Sequence, residues 1–421
     1  MILIHELGHF AAALLMGVRV ETFSIGFGPR LFGFRRGDTD FRVSAFFFGG
    51  YVKMLGDQPG DESTADPRSF QAKARSQRAF IIFAGPFMNV LLAVGLIAGL
   101  YMYGFPKEVE TSDPVITSLE TNSSAAQAGL KTGDKIIQIG SHKDPTWTDV
   151  LTTEALNANH AIPVIAERAG QRLHFLVTPA MDPKEGVGDA GWRGEQNIEV
   201  WQVMKGSPAD QAGLRPNDLL IAVNGRPVVS PVSIQQAVVH SAGNPLTISV
   251  MRDDRIQPIT VTPVRQNDPK LPWHIGIGFK MRAQIVRLGL GPAIVESVRQ
   301  NAQNATLLFR ILGSLVEHRV SAKTLSGPIG IAQMSSEAAQ QGAQSFIDLM
   351  AIISLQLAIF NLFPVPVLDG GTLLLLFIEM LLQREMSLRV RETVFKLGFV
   401  FLMMVVVFAI YNDISRILTH S

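Results

Sequence analysis

His5-Glu6-Leu7-Gly8-His9, which reads H-E-x-x-H, is the stretch of this sequence that decides the fold. Positions i and i+4 of a helix share one face, so His5 and His9 can bind a single Zn²⁺. Glu6 follows the first histidine and comes close enough to the metal to take a proton from a bound water. Residues 1–18 carry these three side chains as their only ionisable groups. A zinc helix that is otherwise apolar indicates a metal site inside a membrane.

The composition indicates a protein that is partly membrane and partly soluble. The chain has 421 residues, enough for two or three domains, with a mean hydropathy of +0.23 and only 17% charged residues. The net charge of +1 provides no overall basic field for nucleic acid. Cysteine is absent, which excludes disulfides and thiolate zinc ligands.

Four apolar segments predict four transmembrane helices. The first is slightly short, because only residues 1–4 precede the motif. Either the native chain extends further upstream, or it starts at Met1 and its first helix is weakly anchored. Basic residues crowd the loops that follow the first segment and precede the last, which predicts that both loops are cytoplasmic. The predicted segments are 1–18, 79–103, 347–382 and 393–411.

Two features near the first and second segments interrupt regular structure. Residues 41–54 (FRVSAFFFGGYVKM) lie within the loop region 19–78, are rich in aromatic and β-branched residues, and break at Gly49-Gly50, which predicts a membrane-reentrant β-hairpin. Its free edge could pair with a substrate strand. Gly85-Pro86-Phe87-Met88-Asn89 opens the second segment, where the Gly-Pro pair allows another element to approach closely. Asn89 at that depth either seeks a polar partner or is a helix-packing residue.

The region between the second and third segments contains an internal repeat. Residues 123–130 (SSAAQAGL) recur 84 residues later as 207–214 (SPADQAGL), and each copy continues into an acidic turn and a strand. The pattern resembles the core of bacterial PDZ domains, so we predict two tandem modules over 112–182 and 190–265. Binding of extended peptides and a purely steric role are equally compatible with the pattern. Residues 283–345 then predict an amphipathic helical region at the membrane interface.

Asn361-Leu362-Phe363-Pro364-Val365-Pro366-Val367-Leu368-Asp369-Gly370-Gly371 is the second informative stretch. Its two prolines break a helix at membrane depth, where free backbone must line a cavity or be covered. An intramembrane carboxylate is a functional candidate, and Asp369 can supply the third zinc ligand that H-E-x-x-H lacks. The alternative is that Asp369 caps the restarted helix. Asn361 either assists at the site, by holding substrate backbone or an oxyanion, or makes a structural hydrogen bond.

Taken together, H-E-L-G-H, G-P-F-M-N, N-L-F-P-V-P-V-L-D-G and the two repeats resemble the site-2 protease family of intramembrane zinc proteases. The resemblance implies a polytopic α-helical membrane protein with an extracytoplasmic insertion of two tandem PDZ (α+β) domains. It also implies a bacterial inner-membrane location, with the PDZ domains in the periplasm and the zinc site toward the cytoplasm.

The same resemblance assigns roles to residues and partners. His5, His9 and Asp369 would bind zinc and Glu6 would be the catalytic base. Asn361 would be the active-site asparagine, and the β-loop with Gly49, Gly50 and Tyr51 would offer its edge to the substrate. Substrates would be single-span membrane proteins that another protease has already shortened, including an anti-sigma factor and remnant signal peptides, with the PDZ pair acting as a size filter.

Two other functions remain open at this point. One is a membrane-tethered PDZ scaffold with an inactive zinc site, although the intact Glu6 and Asp369 argue against it. The other is a membrane metal transporter, for which neither a base beside the first ligand nor PDZ modules are needed.

Overall fold

The structure is a computed structural model, and it divides into two compact units. The first comprises Met1–Phe105, Arg287–Phe309 and Leu325–Ser421, and the second comprises Pro106–Val286 and Arg310–Thr324. The structure describes residues 1–57, 66–108, 113–183, 186–194, 197–228, 231–253, 255–265, 272–384 and 386–420.

Helix α1 (Ile2–Leu15) carries the H-E-x-x-H motif, as the sequence predicts. The helix is terminated by Gly17, whose φ of +66° lies in the left-handed region that glycine tolerates. The backbone N–H of Val18 donates to the carbonyl of Ala13, which closes the helix with a Schellman motif. With 14 residues, α1 is shorter than the ~20 residues that span a bilayer.

The sheet that follows α1 is larger than the sequence predicts. Strand β1 (Val20–Arg36) pairs with strand β2 (Thr39–Met54), and the turn lies at Gly37 with a φ of +62°. The first half of β1 has Cα partners in both the 40–43 and the 50–54 parts of β2, and these two parts run in opposite directions on either side of it. The chain therefore reverses direction within residues 41–54, as the predicted hairpin requires, but its two arms pair with β1 instead of with each other.

Helix α2 (Arg75–Tyr103) packs against α1 and contains Pro86 within its first half. Its apolar face is buried through Ile81, Ile82, Ala93 and Ile97. The small core beside α1 joins this face to the start of the sheet.

The region between α2 and residue 287 contains short strands and helices that form two β-rich modules. In chain order these elements are β3 (Phe105–Glu108), β4 (Ser118–Leu119), α3 (Ser124–Gln127), β5 (Lys135–Ile139), β6 (His142–Lys143), α4 (Trp147–Ala155), β7 (Ile162–Arg168), β8 (Gln171–Val177), β9 (Ala180–Met181), β10 (Gly188–Asp189), β11 (Trp192–Arg193), β12 (Ile198–Val203), α5 (Pro208–Gln211), β13 (Leu219–Val223), β14 (Arg226–Pro227), α6 (Pro231–His240), β15 (Leu246–Arg252), β16 (Arg255–Val261), β17 (Val264–Arg265), β18 (Trp273–His274), β19 (Ile277–Met281) and β20 (Ala283–Val286).

Each module has its own sheet and its own core. The first sheet has the strand order β6-β5-β7-β8, and the second has the order β16-β15-β13-β12-β19 with β14 beside β13. The first core includes Ala190 and Trp192, and the second includes Ile275. Both modules therefore end later than the predicted limits of 182 and 265. The two-residue strands that close them carry no periodic pattern from which their ends could be read.

The repeat extends to an arginine that pairs with the buried aspartate of each acidic turn. In the first module Arg168 donates to both carboxylate oxygens of Asp134, at 2.6 and 2.7 Å. In the second, 84 residues later, Arg252 donates to Asp218 at 2.7 and 2.6 Å. Each guanidinium also donates to the glycine carbonyl of the preceding turn. Two-point pairs of this kind fix a turn to a strand, so the repeats share a local design as well as a motif.

The last part of the chain is helical from residue 290. Within the described residues, three helices are long and apolar enough to cross a membrane: Arg75–Tyr103, Ala343–Asn361 and Arg389–Ser415. The predicted segment 347–382 is two helices separated by the proline-containing loop, and residues 283–286 form a strand rather than part of a helix. The elements are α7 (Leu290–Val316), a 3₁₀ turn (Ala322–Thr324), α8 (Pro328–Gln341), α9 (Ala343–Asn361), α10 (Asp369–Leu382) and α11 (Leu388–His420).

A buried carboxylate connects α11 to the start of α8. Asp413 is 3% exposed and accepts backbone hydrogen bonds from Gly327, Ile329 and Gly330, at 2.9, 3.0 and 3.0 Å. A negative charge is favourable at a helix N-terminus, where the first N–H groups have no partner within the helix. Gly327 has no side chain to serve as its own cap, so α8 receives its cap from α11.

Because the carboxyl of Glu154 is buried, we predict that the stability of the first module depends on pH. This side chain is 4% exposed and accepts a hydrogen bond from the backbone N–H of Ala190 at 3.1 Å. Burial raises the pKa of Glu154 from its ordinary 4.5 to about 8. The unfolded carboxyl ionises near 4.5 and the folded one only near 8. The free energy of unfolding is therefore greatest below pH 4.5 and falls as pH rises through this window, by roughly 5 kcal/mol.

We expect Glu154→Gln to flatten this dependence, because glutamine stays neutral and can still accept from Ala190. Urea-dependent pulse proteolysis of the full chain at several pH values measures it. The exposed Glu167→Gln is the matched control and should keep the parental slope. A parental slope in Glu154→Gln would contradict the assignment.

Candidate metal centre

Side chains from α1 and α10 converge on one point, although they lie at opposite ends of the sequence. The Nε2 atoms of His5 and His9 are 3.1 Å apart. His5 Nε2 lies 3.0 Å from Asp369 Oδ2, and His9 Nε2 lies 3.5 Å from Asp369 Oδ1. In the described part of the chain, this is the one place where three or more such donor atoms come within 4.8 Å of one another. The structure thus brings together the three ligands that the sequence predicts.

The spacing and chemistry of these atoms fit a zinc ion. Ligand atoms at about 2.0–2.1 Å from a tetrahedral zinc are about 3.3–3.4 Å from each other. The three observed separations, 3.0, 3.1 and 3.5 Å, bracket that value. Asp369 Oδ2 is buried and makes no hydrogen bond of good geometry among the described residues. A cation would satisfy this oxygen and the two facing ring nitrogens together, and nitrogen and carboxylate ligands suit zinc.

A backbone carbonyl on α2 sets the orientation of His9. The Nδ1 atom of His9 lies 2.9 Å from the carbonyl oxygen of Ile81, so it carries the proton and donates. The Nε2 atom is then unprotonated and directs its lone pair toward Asp369. Histidine ligands in metal sites are commonly held in this way.

Asn89 plays the same part for His5. Its side chain is fully buried, with its amide nitrogen 3.4 Å from His5 Nδ1, and its Oδ1 has no hydrogen-bond partner among the described atoms. Exchanging the amide oxygen and nitrogen removes the unsatisfied oxygen, because Oδ1 then accepts from His5 Nδ1–H. In that orientation Nε2 of His5 is also free to bind metal. The contact with His5 supports the interpretation that Asn89 finds a polar partner.

Two glycines allow α1 and α2 to meet closely enough for these contacts. A Cβ atom at Gly8 would lie 2.3 Å from the carbonyl oxygen of Ala84. A Cβ at Gly85 would lie 2.3 Å from His9 Nε2 and 2.9 Å from His5 Cε1. The rings of both histidines therefore occupy the space that a side chain at position 85 would fill.

The loop between α9 and α10 delivers Asp369. Asp369 is the first residue of α10, and both of its carboxylate oxygens contact histidines of α1, which favours the metal-ligand interpretation over the capping alternative. The loop folds tightly onto the start of the helix at Gly370 and Gly371, where a Cβ atom would lie 2.1 Å from Leu362 O and 2.2 Å from Val365 O. Because the backbone of the loop lies so close, only glycine fits at the two positions after Asp369.

Glu6 lies beside the end of the sheet. Its carboxylate receives a hydrogen bond from the backbone of Val52, and a Cβ at Gly50 would lie 3.3 Å from Glu6 Cγ. Within the described residues, Gly50–Val52 pairs with Phe23–Ile25. The other edge of Gly50–Val52 lies next to the glutamate that the sequence predicts as the base.

The other predicted site residues divide into two groups. The Nδ2 atom of Asn361, at the end of α9, lies 3.4 Å from His5 Nε2, so Asn361 belongs to the centre. Gly49 and Tyr51 contact the sheet instead. The ring of Tyr51 stacks on Phe27 with centroids 5.8 Å apart and its hydroxyl accepts from Arg42, and Gly49 is covered by Phe27.

Sequence reasoning missed Gly8, Val52 and the Ile81 carbonyl. Gly8 stands inside the motif and could have been noticed as a small residue on an apolar helix. The other two act through the backbone, which leaves no signal in the sequence.

The sequence of this chain also matches those of known proteins. The model of Peptidase family M50 matches residues 1–405. A regulator of sigma E protease from Haemophilus influenzae is 34% identical over 98% of this chain and 96% of that protein. The regulator of sigma-E protease RseP of Escherichia coli is 33% identical over 99% and 96% of the respective chains. A protein of Neisseria meningitidis, named provisionally as a zinc metalloprotease, is 30% identical over 99% and 96%.

Among solved structures, the PDZ domain of an SdrC-like protein from Listeria monocytogenes matches 20% of this chain and 87% of its own length. It is 22% identical with a TM-score of 0.18, a value too low to bear on the fold.

We expect Gly85→Ala to abolish metal retention, because the added methyl group would overlap the His9 ring. Zinc content of the purified protein, measured by mass spectrometry after dialysis against a weak chelator, should fall at least tenfold. Gly95→Ala and Gly99→Ala are matched controls on the same helix, since a Cβ at either position meets nothing within 4 Å. Parental zinc content in Gly85→Ala would show that the rings are not confined as described.

We expect Asn89→Leu, which keeps the side-chain volume but removes the acceptor, to weaken zinc binding about 10- to 100-fold. Competition with a chromophoric chelator measures the dissociation constant. Ser354→Ala is the control, because the Ser354 hydroxyl donates to the backbone carbonyl of Asn89, at 2.9 Å, and not to its side chain. An unchanged zinc affinity in Asn89→Leu would remove Asn89 from the centre.

Proposed function

The chain belongs to Peptidase family M50, and from that premise we propose that it is a zinc metalloprotease that cleaves single-span membrane proteins within or near their transmembrane segments. The observation that carries the proposal is the convergence of His5, His9 and Asp369 on one point, with Glu6 beside them, in helices of strongly apolar sequence.

His5, His9 and Asp369 would hold the zinc. When bound, zinc acidifies water and withdraws electrons from a peptide carbonyl. Glu6 accepts the proton of the attacking water and later donates it to the leaving amine. Asn361, whose amide lies beside His5, is in position to donate to the substrate backbone or to the developing oxyanion.

The edge of Gly50–Val52 beside Glu6 suggests how a helical substrate becomes cleavable. A peptide bond inside a helix is shielded, because its carbonyl is already hydrogen-bonded and side chains surround it. A substrate segment that unwinds can regain backbone hydrogen bonds by adding to this edge as a strand. Gly50 has no side chain to obstruct the approach, and the edge leads directly to Glu6.

We also propose the membrane arrangement. The three helices of spanning length, together with α1 beside them, give four membrane segments. The basic loops before α2 and before α11 place those ends in the cytoplasm by the positive-inside rule, which puts the two β-rich modules in the periplasm and the zinc site toward the cytoplasm. We propose that the modules are tandem PDZ domains that exclude bulky substrates.

The substrate class follows from the named relatives. Two of them are regulators of sigma-E, so we propose an anti-sigma factor already shortened by another protease as one substrate, and remnant signal peptides as another.

Glu6→Gln should lower cleavage of a tagged single-span substrate at least 100-fold and leave zinc bound, since glutamine keeps the size of the side chain but cannot accept a proton. Co-expression followed by immunoblotting detects the shortened fragment, and zinc content is measured on the same purified protein. His5→Ala should lose both cleavage and zinc. Glu392→Gln, an exposed substitution on α11, should lose neither.

Cleavage by Glu6→Gln at the parental rate would exclude Glu6 as the base. If the parent chain binds zinc but cuts no substrate, the scaffold function is favoured, and zinc flux into proteoliposomes without proteolysis would favour a transporter.

A further inference from the structure

A cavity of about 520 Å³ opens where α1 ends and the long hairpin turns. One wall is apolar and is formed by Phe10 and Leu14 of α1 with Phe41 of β2. The opposite part of the lining is strongly polar and comes from three separate segments of the chain. Its charged members are Arg19, Arg36, Asp38 and Arg68.

Positive charge exceeds negative charge in this lining. The single carboxylate, Asp38, lies 3.1 Å from Arg68 Nη1 and 3.7 Å from Arg19 Nε. Arg68 has a second, more distant carboxylate neighbour in Asp66 at 3.7 Å, outside the cavity. The Nε of Arg19 is buried and forms no hydrogen bond to the described protein atoms. Three guanidinium groups therefore face one carboxylate inside the cavity.

The backbone holds these arginines in place. Arg19 N–H donates to the carbonyl of Arg68 at 2.9 Å, and the carbonyl of Arg19 accepts from Leu55 N–H at 2.9 Å. Thr39 beside the hairpin turn donates its hydroxyl to the carbonyl of Val20 at 2.8 Å. The three segments that bear the charges are thus joined before any ligand arrives.

Large apolar side chains are exposed on α1 and β1, two of the elements that line the cavity. Leu14 and Leu15 on α1 are 52% and 75% exposed, and Phe32 and Phe34 on β1 are 63% and 62% exposed. Four exposed side chains of this size are costly in water but favourable in contact with acyl chains. Cationic groups at one level and bare hydrocarbon beside them match the two ends of a lipid molecule.

We propose that this cavity binds the phosphate headgroup of an anionic phospholipid, with its acyl chains lying along the exposed apolar side chains of α1 and β1. Guanidinium groups form paired hydrogen bonds with phosphate oxygens. Anionic lipids are the expected source on the cytoplasmic side. The flanking sequence of a substrate is a poorer occupant, because the positive-inside rule makes that flank rich in lysine and arginine. The proposal requires a membrane location but not proteolysis, so it can fail while the proposed function stands.

The test is native mass spectrometry of the full chain with short-chain phosphatidylglycerol or phosphatidylcholine. We expect preferential binding of phosphatidylglycerol, weakened about fivefold by Arg36→Gln and about fivefold again by adding Arg68→Gln, in line with ~1 kcal/mol for each cation. Asp38→Asn removes the competing carboxylate and should tighten binding. Arg35→Gln is the matched control, because Arg35 adjoins Arg36 on β1 but does not line the cavity.

Three outcomes would overturn the proposal. Equal loss in Arg35→Gln and Arg36→Gln would indicate diffuse surface charge. Displacement of the lipid by equimolar inorganic phosphate would indicate a site for soluble phosphate. Weaker binding in Asp38→Asn, with zinc content unchanged as a measure of folding, would show that the carboxylate belongs to the lipid site rather than opposing it.

Discussion

The contact between α1 and α2 at Gly8 and Gly85 is the constraint on which the rest of the metal centre depends. It brings the backbone of one helix against the backbone and histidine rings of the other. Polar groups buried in apolar surroundings are costly unless each has a partner. Here α2 supplies those partners, with the Ile81 carbonyl for His9 and the Asn89 amide for His5. A wider separation of α1 and α2 would leave the two imidazole rings without a fixed orientation. Asp369 could then not form a three-ligand metal site with them.

The second constraint is the broken chain between α9 and α10, since irregular backbone at membrane depth must be covered by protein. The loop covers itself in part, through contacts at Gly370 and Gly371, and α11 covers it from outside. A Cβ atom at Gly398 of α11 would lie 2.3 Å from the carbonyl oxygen of Pro366. The same helix reaches α8 through Asp413. The last helix therefore supports the loop that presents Asp369 and also fixes the start of the helix that precedes α9.

The sequence predicts which side chains form the metal centre better than it predicts the contacts that hold them in place. Two histidines one helical turn apart and an aspartate in an otherwise apolar stretch stand out because charge is rare there, and the structure brings their donor atoms together. The helix-to-helix contacts could not be predicted, because a glycine shows that close approach is possible but not which residue approaches. The 17-residue strand β1 was missed for a related reason, since its glycines and arginines interrupt the alternation that marks a strand. The short strands that close each module have too few residues to show any period.

The positions of His5 and Asp369 in the sequence also determine when the metal site can form during synthesis. Two of the three predicted zinc ligands leave the ribosome before the β-rich modules, and the third follows only after both modules have been made. The Asp413 cap on α8 is completed later still. The set of metal ligands therefore stays incomplete while the modules are being synthesised. The separation of these ligands in sequence makes completion of the metal site depend on prior synthesis of both modules.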